Sequence, residues 1–153
     1  MREWINNRFG TDFTENDLLS IKNFSLIWNV FENDVCHNNC SVARLTERLH
    51  PIQFEVDEFA GCLEYFKDRY VTDGATNGRF EHLNFRNNDR RELVEEVLLG
   101  NNNEISSIVL ALSIIVYRFR NNLFHGLKEI QFIDQQQTNF ENAILILKAI
   151  LRH

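Results

Sequence analysis

Residues 105–126 read ISSIVLALSIIVYRFRNNLFHG. From Ile105 to Tyr117 apolar side chains occupy every side of a helix, the pattern of an element surrounded by neighbours rather than lying on a surface. The run is thirteen residues long and carries Ser106, Ser107 and Ser113, whereas a bilayer span needs about twenty apolar residues. It is expected to be the central helix of a packed core, from Glu104 to about Asn121, and not a membrane anchor.

Working outward, the remaining segments supply helices to surround it. After a polar lead-in, Thr14 followed by Asp17 has the spacing of a capping box. It opens a helix to about Asn33 with Phe24, Ile27, Trp28 and Phe31 on one face. NDVCHNNC breaks the periodicity, because Asn and Asp compete with helix interiors, and Ser41 caps a short helix ending near Pro51. Asp57 starts another, with an apolar stripe of Phe59, Ala60, Leu63, Phe66 and Tyr70, closed by the loop chemistry of VTDGATNG. Residues 79–88 read as an irregular crossing. Asp89 to Leu99 form a helix with Leu93, Val94, Val97 and Leu98 inward and Gly100 as its stop. Thr138 with Glu141 reads as a second capping box, before an apolar helix from Phe140 to Leu151. No segment shows strand alternation, repeats or a linker. The expectation is one all-α domain over residues 1–153, an up-and-down type bundle of about five to six helices.

Composition agrees with one core. The 153 residues are 44% hydrophobic, with thirteen Phe and one Pro, enough for a single domain and not for two. A net charge of −6 repels polyanions as a whole, so nucleic acid would have to be met by a local basic cluster. Three cysteines, Cys36, Cys40 and Cys62, are too few and odd for a disulfide scaffold and read as reduced thiols. MREWINNRFG lacks the apolar stretch of a signal peptide. A cytoplasmic protein without a membrane segment is expected.

Where the central helix leaves the core it meets Arg118, Arg120, Asn121, Asn122 and His125, then Gly126 and Lys128. Capping accounts for each alone: cations suit the negative end of a helix, and Asn or Gly stops it. Capping accounts less well for the whole cluster. Arginine binds phosphate oxygens in pairs, and histidine titrates near neutrality, so together they suffice for phosphodiester cleavage without a metal. Cys36-His37-x-x-Cys40 provides at most three ligands where a structural zinc needs four, so no metal or other cofactor is expected. Arg86, Arg90 and Arg91 form a basic group that Glu92, Glu95 and Glu96 offset along the same helix.

Arg120-Asn121-x-x-x-His125-Gly126 resembles the Arg-x(4 to 6)-His motif of HEPN domains, often written RNxxxHG, which follows a long buried helix. Arg44 and His50 have a similar spacing, but they sit on a short helix ending at proline, with Leu45 after the arginine. FSLIWNVFEN, residues 24–33, is similar to the aromatic first helix of several HEPN groups. The resemblance implies an α-helical bundle that pairs as a two-fold homodimer. It further implies a metal-independent endoribonuclease of a prokaryotic toxin, abortive-infection or anti-phage defence system, with an RNA substrate and a neutralising antitoxin protein as possible partner. His125 would be general acid and base, Arg120 the phosphate binder and Asn121 the positioning residue, with Arg118 and Asn122 as auxiliary phosphate contacts. One toxin subgroup has Tyr two residues after the His; Leu127 stands there, so that subgroup's nucleotidyltransferase partner is not carried over. At about 100° per residue, Arg118 and His125 lie about 20° apart on an unbroken helix and Arg120 and His125 about 140° apart. A helix ending at the Asn pair would favour Arg120. The alternative function is a non-catalytic HEPN-type module that binds nucleotide, RNA or a protein through the same cleft.

Overall fold

The computed structural model describes residues 1–123 and 136–153. Among them are eight α-helices in chain order: α1 (Arg2–Phe9), α2 (Glu15–Asp34), α3 (Val42–Leu49), α4 (Ala60–Tyr70), α5 (Gly78–Glu81), α6 (Arg91–Leu98), α7 (Ile105–Leu123) and α8 (Gln137–Leu151). The all-α class holds, with more helices than the five to six expected.

The extra elements are short. α1 lies in the stretch read as a polar lead-in, and none of its residues is buried, which is why no periodic signal marks it. It stops at Gly10, whose φ of 65° is left-handed and therefore suits glycine. Asn6 then ties the chain back, accepting from the Phe13 N–H at 2.9 Å and donating to the Phe13 carbonyl at 3.0 Å. α5 is a single turn inside the expected irregular crossing.

A further correction concerns VTDGATNG. It folds as a small antiparallel hairpin, β1 (Val71–Thr72) with β2 (Ala75–Thr76), in which Val71 pairs with Thr76 and Thr72 with Ala75. Asp73 and Gly74 both have positive φ, 52° and 77°, the requirement of a two-residue hairpin turn. Strands of two residues are too short to show alternation. Only the Asp-Gly pair could have disclosed them.

The core is built around α7 as expected. Ile108 through Val116 are all buried, and α7 packs against α3, α4, α6 and α8. Ser113, inside this apolar run, satisfies its hydroxyl by donating to the Val109 carbonyl at 2.7 Å. α2 lies most extensively on α8. Its Phe24, Trp28 and Phe31 face inward, with Ile27 half-buried, and Phe24 packs on Phe140 of α8 at 5.2 Å between ring centres. On α4, Phe59 at the cap, Phe66 and Tyr70 are buried while Ala60 is exposed and Cys62 takes an inward place. A single 3-10 turn, Val56–Glu58, precedes α4, so the helix starts later than Asp57.

The capping expectations divide. Thr14 and Asp17 form the full reciprocal box at the start of α2, and Ser41 caps α3 by accepting from the Arg44 N–H. Thr138 does not cap: α8 starts at Gln137, so Thr138 lies within its first turn, and Glu141 accepts from the Gln137 side chain at 2.8 Å. Gly100 ends α6 with φ 79°. Arg91 pairs with Glu81 of α5 rather than with a glutamate of its own helix.

Cys36 and Cys40 form a disulfide, which corrects the reading of reduced thiols. The turn between them places His37 and Asn38 at positive φ and brings the two Cα atoms to 4.9 Å, inside the usual disulfide range. Cys62 is a free, buried thiol, its pKa pushed up to about 11 by burial. No helix among the described residues is long and apolar enough to cross a membrane.

Candidate functional site

The site is the C-terminal part of α7. The helix continues through Asn121 and Asn122 to Leu123, so it does not end at the asparagine pair. His125 lies outside the described residues, as do Gly126, Leu127 and Lys128.

Arg118 points inward and is 2% exposed. Its Nε donates to the Leu83 carbonyl at 3.0 Å, Nη1 to Asp89 Oδ2 at 3.0 Å and Nη2 to Asn122 Oδ1 at 3.4 Å. Asp89 is itself buried, and the same oxygen accepts from the Arg86 N–H at 2.7 Å. Asn122 completes the network by donating to the carbonyls of His82 and Leu83 at 3.3 and 3.2 Å. These bonds fasten α7 to the segment between α5 and α6. They place Arg118 and Asn122, expected as auxiliary phosphate contacts, inside this network. Turning Arg118 outward would strand a buried carboxylate, at a cost of about 3–5 kcal/mol.

Arg120, two residues on, faces a different neighbourhood. Its side chain keeps 36% exposure, and its Nη2 lies 3.9 Å from Glu32 Oε2 on α2. That separation is an ion pair without a direct hydrogen bond. Its Nη1 donates to Asn121 Oδ1 at 3.2 Å, and its guanidinium carbon stands 6.0 Å from the centre of the Trp28 ring, within cation–π range. Trp28 in turn donates its indole N–H to Glu32 Oε2 at 3.2 Å and packs against Tyr117. Asn121, Glu32 and Trp28 are among the groups that hold Arg120, whose side chain keeps part of its surface in solvent.

The structure joins Arg120 to Asn121 and Arg118 to Asn122 by hydrogen bonds. Glu32, Trp28 and Asp89 were absent from the sequence reading of this site. Trp28 and Glu32 are one turn apart on α2, a spacing that lets them bond but does not disclose that α7 lies alongside. Asp89 carries no local signal for Arg118, 29 residues away.

Chemically, a partly exposed arginine side chain beside an amide can bind a phosphate or carboxylate. Among the described residues no group of three or more His, Cys, Asp or Glu side chains is gathered as a metal would need. Compared with models of protein families, with characterised proteins and with solved structures, the chain matches none.

Proposed function

We propose that the chain is a metal-independent endoribonuclease of HEPN type, acting as a homodimer in a prokaryotic toxin or anti-phage defence system. His125 takes the proton of an RNA 2′-hydroxyl as general base and returns one to the leaving 5′-oxygen as general acid. The 2′-oxygen attacks phosphorus, the bond to the 5′-oxygen breaks, and a cyclic phosphate remains. Arg120 binds the phosphate oxygens, and Asn121, bonded to Arg120, positions it. The reading places this action in the cytoplasm, where the Cys36–Cys40 bond would face reducing conditions.

The observation that carries the proposal is the contrast at the end of α7. Arg118 is held by buried bonds, while Arg120 keeps 36% side-chain exposure beside Asn121, the Arg-Asn pair of the Arg-Asn-x-x-x-His resemblance. Pairing is supported by α2. Leu19, Leu26 and Val30 are all exposed and fall within about 40° of one another around the helix, with Asn23 and Asn33 beside them and Leu145 exposed on the adjoining α8. This apolar line, flanked by the exposed Lys22–Glu15 pair, is a surface on which a second copy can dock.

The test is RNA cleavage by purified protein in EDTA. His125→Ala and Arg120→Ala are each expected to abolish it with melting temperatures close to the parent. Undiminished cleavage by both variants would remove the site. The Glu32 pairing of Arg120 favours one other reading, a non-catalytic module that binds an anion through the same arginine. Absence of cleavage together with a nucleotide-induced rise in melting temperature would select it.

A further inference from the structure

Cys36 and Cys40 close a disulfide across the turn that joins α2 to α3, and no step of the proposed cleavage uses either sulfur. The two differ in access. Cys36 is fully buried in the core, whereas Cys40 is partly exposed. Thiol–disulfide exchange needs one sulfur that an incoming thiolate can reach, and Cys40 supplies it. The two cysteines are separated by 4 in sequence. Closing so short a loop removes little freedom from the unfolded chain, so the bond contributes less to global stability than a long-range bridge would.

What the bond holds is the end of α2. Between the cysteines, His37 and Asn38 have φ of 52° and 62°, a left-handed backbone that residues with a Cβ adopt at a cost. Asn38 fastens the turn to the helix. Its N–H donates to the Glu32 carbonyl at 2.9 Å and its Nδ2 to Asn33 Oδ1 at 3.3 Å. On the other side, the Val35 carbonyl accepts from Arg48 Nε of α3 at 3.1 Å. Glu32 in turn accepts from the Trp28 indole at 3.2 Å and lies 3.9 Å from Arg120. The disulfide turn, the last turn of α2 and the end of α7 are therefore one connected set of contacts.

We propose that the Cys36–Cys40 bond is a reversible redox latch on the end of α2, opened by a dithiol reductant. A thiolate of the reductant attacks Cys40 Sγ, the S–S bond breaks, and Cys36 leaves as a thiolate that takes up a proton. The second thiol of the reductant then displaces Cys40, so the reductant becomes a disulfide and the protein gains two electrons and two protons. The oxidised dithiol closes the latch by the same exchange run backward, within a turn that keeps the two Cα atoms 4.9 Å apart when closed. Reduced Cys36 stays in the core as a small apolar side chain, so the fold survives opening. The change is confined to the turn: His37 and Asn38 relax, and the Asn38 bonds to Glu32 and Asn33 are released. The inference does not depend on whether Arg120 and His125 cleave RNA.

The experiment uses the full chain carrying Trp4→Phe, which leaves Trp28 as the single tryptophan; Trp4 is exposed, so the core is untouched. The protein is equilibrated with reduced and oxidised dithiothreitol in varying ratio, then acid-quenched, denatured and alkylated. Alkylation is expected to count one thiol, Cys62, in the oxidised state and three in the reduced state. On reduction Trp28 emission should change and amide exchange at Val35 and Asn38 should quicken about tenfold or more, while exchange within α7 stays as it was. Both changes should reverse on reoxidation. Cys40→Ser, which keeps Cys36 in the core but cannot close the bond, should match the reduced parent and ignore dithiothreitol. A bond that persists in excess dithiothreitol below the melting temperature overturns the latch, as do thiols that oxidised dithiothreitol never joins. Cooperative unfolding on reduction overturns it too, because the bond would then be a structural brace. So does opening with no change in Trp28 emission or in exchange at Val35 and Asn38. With no RNA present, each of these failures leaves the cleavage test of Arg120 and His125 untouched.

Discussion

Arg118 and Arg120 stand two residues apart on one helix and are about 200° apart around it, and burial then separates their chemistry. Arg118 is 2% exposed and satisfies Asp89, Leu83 and Asn122; a guanidinium so enclosed is a structural cation. Replacing it by Met would leave the Asp89 carboxylate buried with only the Arg86 N–H as partner. Arg118→Met is expected to cost about 3–5 kcal/mol in urea unfolding, and Arg118→Met/Asp89→Asn distinctly less, because the stranded charge is gone. Equal losses in the single and double variants would show that packing of the stem, not the charge pair, carries the effect. Arg120, by contrast, keeps 36% side-chain exposure and lies 3.9 Å from Glu32, and such partly exposed ion pairs contribute at most about 1 kcal/mol. That is why its removal is expected to affect cleavage and spare the fold.

At the level of the element, caps were legible where both partners lie within one turn and the start of the helix is unambiguous. The Thr14 box is reciprocal: Asp17 accepts from the Thr14 N–H and hydroxyl, each at 2.7 Å, and its own N–H donates to the Thr14 hydroxyl at 3.2 Å. Thr14→Ala is expected to destabilise by about 1 kcal/mol, and Thr138→Ala by less than about 0.5 kcal/mol because Thr138 caps nothing. Both are read by thermal or urea unfolding, and a comparable loss in the two would contradict the observed start of α8. The hydrogen bonds from Thr14 hold the Asp17 carboxyl below its ordinary value. A depressed folded pKa stabilises fully above the unfolded value and is lost as pH falls through the folded one. The difference between parent and Thr14→Ala should therefore shrink in acid and stay constant from mildly acidic to neutral pH. α1 and the hairpin were missed for the same kind of reason, since elements that bury little or span two residues leave no periodic trace.

For the whole molecule, the apolar line of Leu19, Leu26 and Val30 sits on α2 opposite the aromatic face that α7 and α8 cover. Leu26 alone is 67% exposed, and such side chains gathered on one line mark an interface more often than scattered ones do. The parent is expected to elute as a dimer in size exclusion with light scattering. Leu26→Glu/Val30→Glu should be monomeric with an unchanged helical spectrum, since neither side chain enters the core. A monomeric parent would remove the pairing proposal and, with it, any site shared between two copies.

By itself the sequence determined the all-α class, the central position of α7, the inward faces of α2 and α6 and the caps at Thr14 and Ser41. Each of these depends on interactions within one or two helical turns, which spacing records directly. It also singled out the end of α7 as chemically unusual. Only the tertiary structure decided that Arg118 belongs to Asp89 and that Arg120 meets Glu32 and Trp28. Those partners come from other elements, and hydrogen bonds and ion pairs between distant segments depend on packing that no local spacing encodes.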